Sequence, residues 1–258
     1  MFQTPPQAIR RLLVVLPSWV GDAVMATPTL RALRERFGSA RISYVMRQSV
    51  EPILDACPWV DRTIAVERGR SVLSLANQLR GDGYDLAVIL PNSLRWALVA
   101  RLAGVRHRVG YDREARGMLL SDRLMPLRDG RGYMPTSTLH YYLNIARYLG
   151  VESPDATMRL FTRDADDRRA DQLLQRAGVD LDRRPTVLLN PGASYGAAKI
   201  WPVERYAAVA DALIERHGAQ VLVNGAPHER AILDGVHAAA HGPLVDLPRA
   251  GGTLKLLK

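Results

Sequence analysis

The chain has 258 residues, of which 47% are hydrophobic and 24% charged, which excludes a disordered or fibrous protein. Its single cysteine, Cys57, excludes an intrachain disulfide and a cysteine-based zinc site. The formal net charge of +9 suits an anionic partner, such as nucleic acid, a membrane surface or a phosphorylated small molecule. The apolar stretch from Leu12 to Leu16 is too short for a membrane span or a signal peptide, so we expect a cytoplasmic chain.

Short β-rich runs alternate with helical stretches along the first part of the chain. The pattern predicts strands at 11–16, 41–45, 63–66, 85–90 and 108–109, and helices at 24–37, 50–55, 72–80, 94–102 and 139–149. Pro28 belongs either inside the first long helix or at its start, behind Thr27. This alternation predicts a parallel sheet with helices on both faces.

A second unit follows a charged stretch, Arg163 to Arg169, which suits a solvated helix start or a linker. In this unit the pattern predicts strands at 186–190, 220–224 and 244–247, and helices at 202–217 and 229–239. We therefore predict two domains, residues 1–165 and residues 166–258.

The run S-W-V-G-D at 18–22 comes directly after the first predicted strand. Doubly wound sheets bind ligands outside the carboxyl ends of their strands. There Gly21 would let the backbone approach a ligand, and Asp22 would stand where a general base can act. The alternative is that Asp22 is an ordinary helix N-cap, a position that favours aspartate.

A glycine-rich loop, N-P-G-A-S-Y-G-A-A-K-I-W-P at 190–202, leads from a strand into a helix with proline at its first position. Loop N–H groups, the Ser194 hydroxyl, the Lys199 ammonium and a helix N-terminus suit a phosphate or diphosphate. The alternative is an ordinary connection with a surface lysine. The loop also contains G-x-S-x-G, but the helix does not follow Ser194 at once, as a hydrolase nucleophile requires.

Three weaker patterns have open interpretations. The D-x-D pairs at 164–166 and 180–182 could hold a metal-bound nucleotide, but charged connector sequence favours a solvated surface. Glu229, at the start of a helix, would either accept hydrogen bonds from a ribose or favour the helix dipole. Nine arginines against four acidic residues between Arg95 and Arg131 indicate a solvated face or a surface for an anionic acceptor.

Four segments together resemble the ADP-heptose:lipopolysaccharide heptosyltransferases, and the second is similar to the heptosyltransferase II branch. They are LLVVLPSWVGDAVMATPTLRALRERF, ILPNSLRWALVARLAGVRHRVGYDREARGMLL, LLNPGASYGAAKIWPVERYAAVADAL and VLVNGAPHERAIL. The resemblance implies an α/β, GT-B-like fold of two Rossmann-like doubly wound domains. The first domain would be on the acceptor side, and the second would bind the ADP-sugar.

The same resemblance implies a reaction and its residues. The reaction is inverting transfer of L-glycero-D-manno-heptose from ADP-heptose to heptosylated Kdo–lipid A, in the inner core of lipopolysaccharide, without a metal or cofactor. The matching positions are Asp22 for the general base; Gly192, Ser194, Lys199 and Glu229 for the donor; and Ser18, Trp19, Asn92 and Ser93 for the acceptor. It also implies a cytoplasmic enzyme in peripheral contact with the anionic inner face of the inner membrane.

One departure from the family's pattern is visible. Members continue into an Asp-Thr-Gly-Pro-x-His motif that meets the donor, whereas this sequence stops at Lys258, so we expect the second domain to be incomplete. The alternative function is a catalytically silent relative that binds a nucleotide or an acceptor. Nucleic acid is not an expected partner, because no RNP, helix-turn-helix or zinc signature is present.

Overall fold

The computed structural model describes residues 2–130, 132–193 and 199–253. The chain forms two compact units, Met1–Phe161 and Thr162–Lys258. Within the described ranges, no helix is both long and apolar enough to cross a bilayer.

The first unit is built on a six-stranded parallel sheet. Its strands are β1 (Arg11–Val15), β2 (Arg41–Arg47), β3 (Arg62–Val66), β4 (Leu86–Ile89), β5 (His107–Tyr111) and β6 (Asp122–Leu124). Its helices are α1 (Val20–Arg36), α2 (Glu51–Leu54), α3 (Val72–Arg80), α4 (Leu94–Leu102) and α5 (Thr138–Tyr148). The strand order is β3-β2-β1-β4-β5-β6. This is the order of a doubly wound sheet, which confirms the predicted class.

Alternate side chains of β1 supply two separate apolar cores. Leu12 and Val14 pack on the face that α1 and α5 cover. Leu13 and Val15 pack on the opposite face, in the cluster that contains the buried residues of α3 and α4. A strand buried on both faces needs a continuous apolar run, and L-L-V-V provides it.

The helix α1 begins at Val20, four residues earlier than the sequence predicts, and Pro28 lies inside it. Proline has no N–H to donate to the carbonyl four residues earlier, which is that of Val24. The hydroxyl of Thr27 donates to this same carbonyl at 2.7 Å. The Thr-Pro pair therefore keeps the Val24 carbonyl bonded within an uninterrupted helix.

The second unit has a three-stranded parallel sheet in the order β11-β10-β9. Its elements are α6 (Asp164–Arg176), β9 (Thr186–Leu189), α7 (Val203–His217), β10 (Gln220–Val223), α8 (Arg230–Ala239) and β11 (Leu244–Asp246). The charged stretch at 163–169 forms the start of α6, which has no buried side chain. An apolar cluster of Val179, Leu222 and Leu247 supports the sheet.

The sequence pattern misses two short features of the first unit. One is β6. The other is a hairpin of two strands, β7 (Arg128–Asp129) and β8 (Gly132–Tyr133), which pair antiparallel. Both are too short and too exposed to produce a hydrophobic period.

Candidate active site

A cleft of about 950 Å³ opens at the carboxyl ends of the first sheet's strands. The chain places β2 and β3 on one side of β1, and β4, β5 and β6 on the other. The junction between β1 and β4 is thus the point where the winding direction reverses, and doubly wound sheets bind ligands there. The cleft is lined by residues that follow β1 and β4, by the ends of β5 and β6, by the β7–β8 hairpin and by α5.

Asp22 lies in the wall of this cleft as the third residue of α1. The N-cap residue of α1 is Trp19, so the interpretation of Asp22 as an N-cap is wrong. Partial burial raises the pKa of the Asp22 carboxyl, which makes its carboxylate a stronger base than an exposed one. A Cβ added to Gly21 would meet no atom within 4 Å, so the space beside this turn is open.

Tyr142 faces the same cleft from α5 and is buried. Burial raises the pKa of its phenol strongly, and the negative charge of Asp22 raises it further. The phenol therefore remains a neutral hydroxyl beside the carboxylate across the physiological pH range.

A hydrogen-bond network fixes Asn92, which follows β4. Its Oδ1 accepts hydrogen bonds from the Tyr141 hydroxyl at 3.0 Å and from Nη2 of Arg116 at 3.2 Å. The ring of Tyr141 stacks on that of Tyr111, with centroids 3.7 Å apart and planes 12° apart. Two donors on one oxygen determine which way the amide faces, so Asn92 presents its N–H groups in a fixed direction.

Arg116 is a fully buried arginine beneath the cleft. Its Nε donates to the Tyr111 carbonyl at 2.8 Å, and its Nη1 donates to the Pro91 carbonyl. It thereby ties the end of β4 to the end of β5. The turn before it has positive φ at Glu114 and Ala115, 55° and 57°, a region that costs a non-glycine residue about 1–2 kcal/mol. The alternative in which the arginines between Arg95 and Arg131 form a solvated face is therefore wrong for Arg116.

Among the described residues of the first unit, three other arginines border the cleft: Arg113, Arg123 and Arg147. The Arg113 guanidinium lies 4.0 Å from the centroid of the Tyr133 ring. Arg123 forms an ion pair of 3.5 Å with Asp112, and half of its side chain remains exposed. Together they make part of the cleft wall cationic, which suits an anionic ligand.

The structure brings together most of the residues predicted for the acceptor. Ser18, Trp19 and Asn92 line the cleft, and Trp19 is 58% exposed. Ser93 is instead the N-cap residue of α4 and is not among the lining residues of the described part of the chain. The cleft therefore gives no support to the prediction for Ser93.

Sequence reasoning missed the tyrosines and Arg147, and it named Arg113 and Arg123 only as members of an arginine-rich segment that could be a surface for an anionic acceptor. Tyr141 and Tyr142 stand on an amphipathic helix, where aromatic residues look like ordinary core. Arg113 lies in the G-Y-D-R-E-A-R-G run that follows β5, and its position after a strand end was the signal that could have found it.

In the second unit, Gly192 and Glu229 meet at the carboxyl ends of β9 and β10. A Cβ added to Gly192 would lie 2.1 Å from a carboxylate oxygen of Glu229. The other oxygen of this carboxylate, Oε2, accepts a hydrogen bond from the Ala226 amide at 2.6 Å. Glu229 therefore has a local role in capping its turn, and a side chain at residue 192 would displace its carboxylate.

Lys199 is exposed and precedes α7. The sequence predicts Pro202 as the first residue of this helix, whereas in the structure Pro202 is its N-cap residue. Ser194 lies outside the described residues, so its predicted role as a donor contact and the G-x-S-x-G hypothesis stay predictions. Glu229 is the N-cap residue of α8, and its negative charge suits the positive end of that helix.

In the residue ranges given above, no group of three or more His, Cys, Asp or Glu side chains has the arrangement of a metal site. Oδ1 of Asp180 accepts hydrogen bonds at 3.2 Å from the amides of Asp182 and Arg183, so it stabilises a turn. The first D-x-D pair lies in the first turn of α6.

The architecture defines a doubly wound α/β protein with a ligand cleft at its switch point, and comparison with known proteins specifies the family. A family model, glycosyltransferase family 9 (heptosyltransferase), matches residues 72–249. The lipopolysaccharide heptosyltransferase 2 of Salmonella typhimurium is 32% identical over 83% of this chain and 63% of that protein. The lipooligosaccharide heptosyltransferase 2 of Haemophilus ducreyi is 28% identical over 94% of this chain and 72% of that protein.

Among solved structures, the ADP-heptose lipopolysaccharide heptosyltransferase II of Escherichia coli has a TM-score of 0.73 and 29% identity. The likeness covers 90% of this chain and 69% of that one, and it confirms the predicted α/β, GT-B-like fold class. The chain thus spans about two thirds of the length of these relatives. It belongs to glycosyltransferase family 9, the heptosyltransferase family, whose enzymes use nucleotide-sugar donors.

Proposed function

We propose that this protein transfers L-glycero-D-manno-heptose from ADP-heptose to heptosylated Kdo–lipid A, with inversion at the anomeric carbon. The observation that carries the proposal is the position of Asp22. Its carboxylate, with a raised pKa, lines a sugar-sized cleft at the switch point of a family 9 fold. The names of the relatives, lipopolysaccharide and lipooligosaccharide heptosyltransferases, support this choice of donor and acceptor.

In the proposed step, Asp22 accepts the proton of an acceptor hydroxyl while that oxygen attacks the anomeric carbon. A carbon–oxygen bond forms on one face of the sugar, and the bond to the diphosphate breaks on the other. ADP leaves with the electron pair. A positioned base of this kind typically contributes about 10²–10⁴-fold to the rate.

The cleft of the first unit, within residues 1–165, is the proposed acceptor site. The stacked rings of Tyr111 and Tyr141 offer an apolar face to a sugar, and the oriented amide of Asn92 offers hydrogen-bond donors. The cationic wall formed by Arg113, Arg123 and Arg147 suits the carboxylates or phosphates of an acidic acceptor.

The carboxyl ends of β9 and β10, within residues 166–258, are the proposed donor site. Gly192 gives close access to the backbone, Glu229 would meet the nucleoside, and Ser194 and Lys199 would meet the diphosphate. As ADP departs, the Lys199 ammonium would stabilise the growing negative charge. This scheme needs no metal or cofactor, because the Lys199 ammonium stabilises the negative charge of the departing ADP.

An acceptor anchored in lipid also implies a place for the reaction. We propose that the protein acts in the cytoplasm, in peripheral contact with the anionic inner face of the inner membrane. No nucleic acid takes part.

The test is release of ADP from ADP-heptose by the purified chain, with and without heptosylated Kdo–lipid A. We expect ADP release that depends on the acceptor, and no release from ADP-glucose. Saturable binding of ADP without any turnover would instead support the catalytically silent relative. No binding of either substrate would contradict both functions.

A further inference from the structure

The hairpin segment, residues 123–130 and 132–134, exposes an unusual amount of apolar surface beside the cleft. Met125, Leu127 and Met134 are 69%, 64% and 45% exposed. All three line the cleft mouth, as does the 40% exposed ring of Tyr133. Exposed apolar side chains that cluster in this way mark an interaction surface, whereas scattered ones are ordinary.

The backbone explains why these side chains share one side. From residue 122 to residue 127 the chain alternates between partly buried and exposed positions, and Arg123, Met125 and Leu127 are the exposed ones. Because side chains of an extended chain alternate between two faces, these three point the same way. The Met134 amide donates to the Leu127 carbonyl at 3.0 Å, which brings the second arm of the hairpin alongside the first.

Arginines accompany the apolar side chains. Residues 123–134 contain three arginines and one acidic residue. The guanidinium groups of Arg113 and Arg128 both lie against the Tyr133 ring, 4.0 Å and 4.4 Å from its centroid. Exposed apolar side chains flanked by guanidinium groups match the boundary between acyl chains and anionic headgroups. At this boundary the apolar side chains are buried and the guanidinium groups bind phosphates.

We propose that the hairpin segment docks on an anionic lipid surface and inserts Met125, Leu127 and Met134 among the headgroups. The cleft mouth would then open onto the membrane where a lipid-linked acceptor is held. The choice of a lipid occupant rests on the proposed function, whereas the docking itself needs neither donor nor turnover. A second copy of this chain fits less well, because the cationic side chains would meet each other across a symmetric contact.

The experiment is co-sedimentation of the chain with vesicles of phosphatidylcholine alone and of an equal mixture with phosphatidylglycerol. We expect binding to the mixed vesicles, weakened by high salt, and little binding to phosphatidylcholine. The double variant Met125→Ser/Leu127→Ser should lower the partition coefficient roughly tenfold or more, since several buried methylene groups are lost. Its matched control is Leu73→Ser/Met158→Ser, which removes side chains that are 67% and 48% exposed elsewhere in the same unit.

A second pair of variants tests the charge. Arg128→Glu and Arg68→Glu change the net charge equally, and both arginines are exposed. We expect Arg128→Glu to weaken binding to the mixed vesicles roughly tenfold or more, because the charge at the surface changes by two units, and Arg68→Glu to weaken it much less. Equal effects of the two apolar double variants, or of the two arginine variants, would overturn the proposal. Failure of the wild-type chain to bind anionic vesicles would overturn it as well.

Two further results separate this inference from its competitors. A dimer that dissociates in the Met125→Ser/Leu127→Ser variant would assign the surface to a second copy and overturn the lipid proposal. Vesicle binding that follows the expected variant pattern in a chain without heptose transfer would overturn the proposed function and retain the docking surface. Transfer to a delipidated acceptor without vesicle binding would overturn the docking surface and retain the proposed function.

Discussion

The hydroxyl of Tyr141 donates a hydrogen bond of 3.0 Å to Oδ1 of Asn92, and so joins α5 to the segment that follows β4. Both residues line the cleft, and the bond fixes the orientation of the Asn92 amide. The arrangement makes Tyr141 a positioning residue for the acceptor rather than a participant in proton transfer.

Tyr141→Phe should therefore raise the KM for the acceptor and leave the affinity for ADP unchanged. The lost hydrogen bond should lower the free energy of unfolding by about 1 kcal/mol. Initial-rate kinetics at varied acceptor concentration provide the measurement. The control is Tyr84→Phe, which removes a 3.2 Å hydrogen bond to Asp82 away from the cleft and should leave KM unchanged. An equal rise in KM in both variants would contradict the positioning role.

Gly192→Ala should disturb the donor side, because the new methyl group would lie 2.1 Å from the Glu229 carboxylate. Overpacking of this kind typically costs about 1–3 kcal/mol of stability, and it would displace the carboxylate. We expect weaker ADP binding by calorimetry and a lower melting temperature. Gly38→Ala is the control, since the nearest atom to its added Cβ is at 3.7 Å. Unchanged ADP binding by Gly192→Ala would argue against donor contact at this loop.

Lys199→Ala should weaken ADP binding by about 1.5–3 kcal/mol, the usual contribution of a hydrogen bond to a charged group. Turnover should fall as well, since the ammonium is proposed to stabilise the leaving group. Arg205→Ala removes a positive charge from the neighbouring helix and is the matched control, because Arg205 is also exposed. If the two variants bind ADP equally well, the earlier alternative of a surface lysine is correct.

The raised pKa of Asp22 has a consequence for stability. The folded chain holds the Asp22 proton more tightly than the unfolded chain does. The contribution of the protonated carboxyl to stability is therefore fully present when the pH is below the pKa of Asp22 in the unfolded chain. It is lost as the pH rises through the folded pKa, and the ionised carboxylate lowers stability at neutral pH. Asp22→Asn should therefore melt at the same or a higher temperature than the wild type at pH 7, with the difference disappearing in acid.

Asp61 supplies a control of opposite sign for those melting curves. Burial alone would raise the pKa of Asp61, but hydrogen bonds from Arg34 and the Ile42 amide outweigh it and lower this pKa. Asp61→Asn should thus be less stable than the wild type at neutral pH, and the difference should shrink as the pH falls through the lowered pKa. The same sign of shift for both variants would show that the Asp22 environment is misassigned.

Much of the first unit follows from its hydrophobic pattern. Runs such as L-L-V-V in β1 and L-A-V-I in β4 are buried on both faces, and this burial is what makes them visible in the sequence. The helix α1 starts before its predicted residue because Ser18 to Asp22 carries no apolar period, although the turn after β1 leads directly into the helix at Val20. The position of Pro28 is not decided by the pattern, because a proline after threonine suits a helix start as well as a helix interior in which the Thr27 hydroxyl bonds to the Val24 carbonyl.

The site was only partly predictable for a related reason. Asp22 comes soon after a strand, so the topology rule that ligands bind at strand ends was enough to select it, whereas Trp19 and Asn92 were expected only from the family resemblance. Tyr141 and Arg147 come from α5, which reaches the cleft only because the helix packs against α1. Arg116 looks like any other arginine in a basic segment, and its burial depends on acceptors that the pattern does not show: the Tyr111 carbonyl, and the Pro91 carbonyl and Asn92 side chain of the loop after β4.

The measurement that tests the central claim most directly is single-turnover heptose transfer by Asp22→Asn, together with its ADP affinity. A base acts on the acceptor proton, so we predict a rate lower by about 10²–10⁴-fold and an unchanged ADP dissociation constant. Asp22→Glu should retain part of the rate, and Glu67→Gln, which removes an exposed carboxylate of the same unit, should retain all of it. Transfer by Asp22→Asn at the rate of Glu67→Gln would contradict the assignment of Asp22 as the general base.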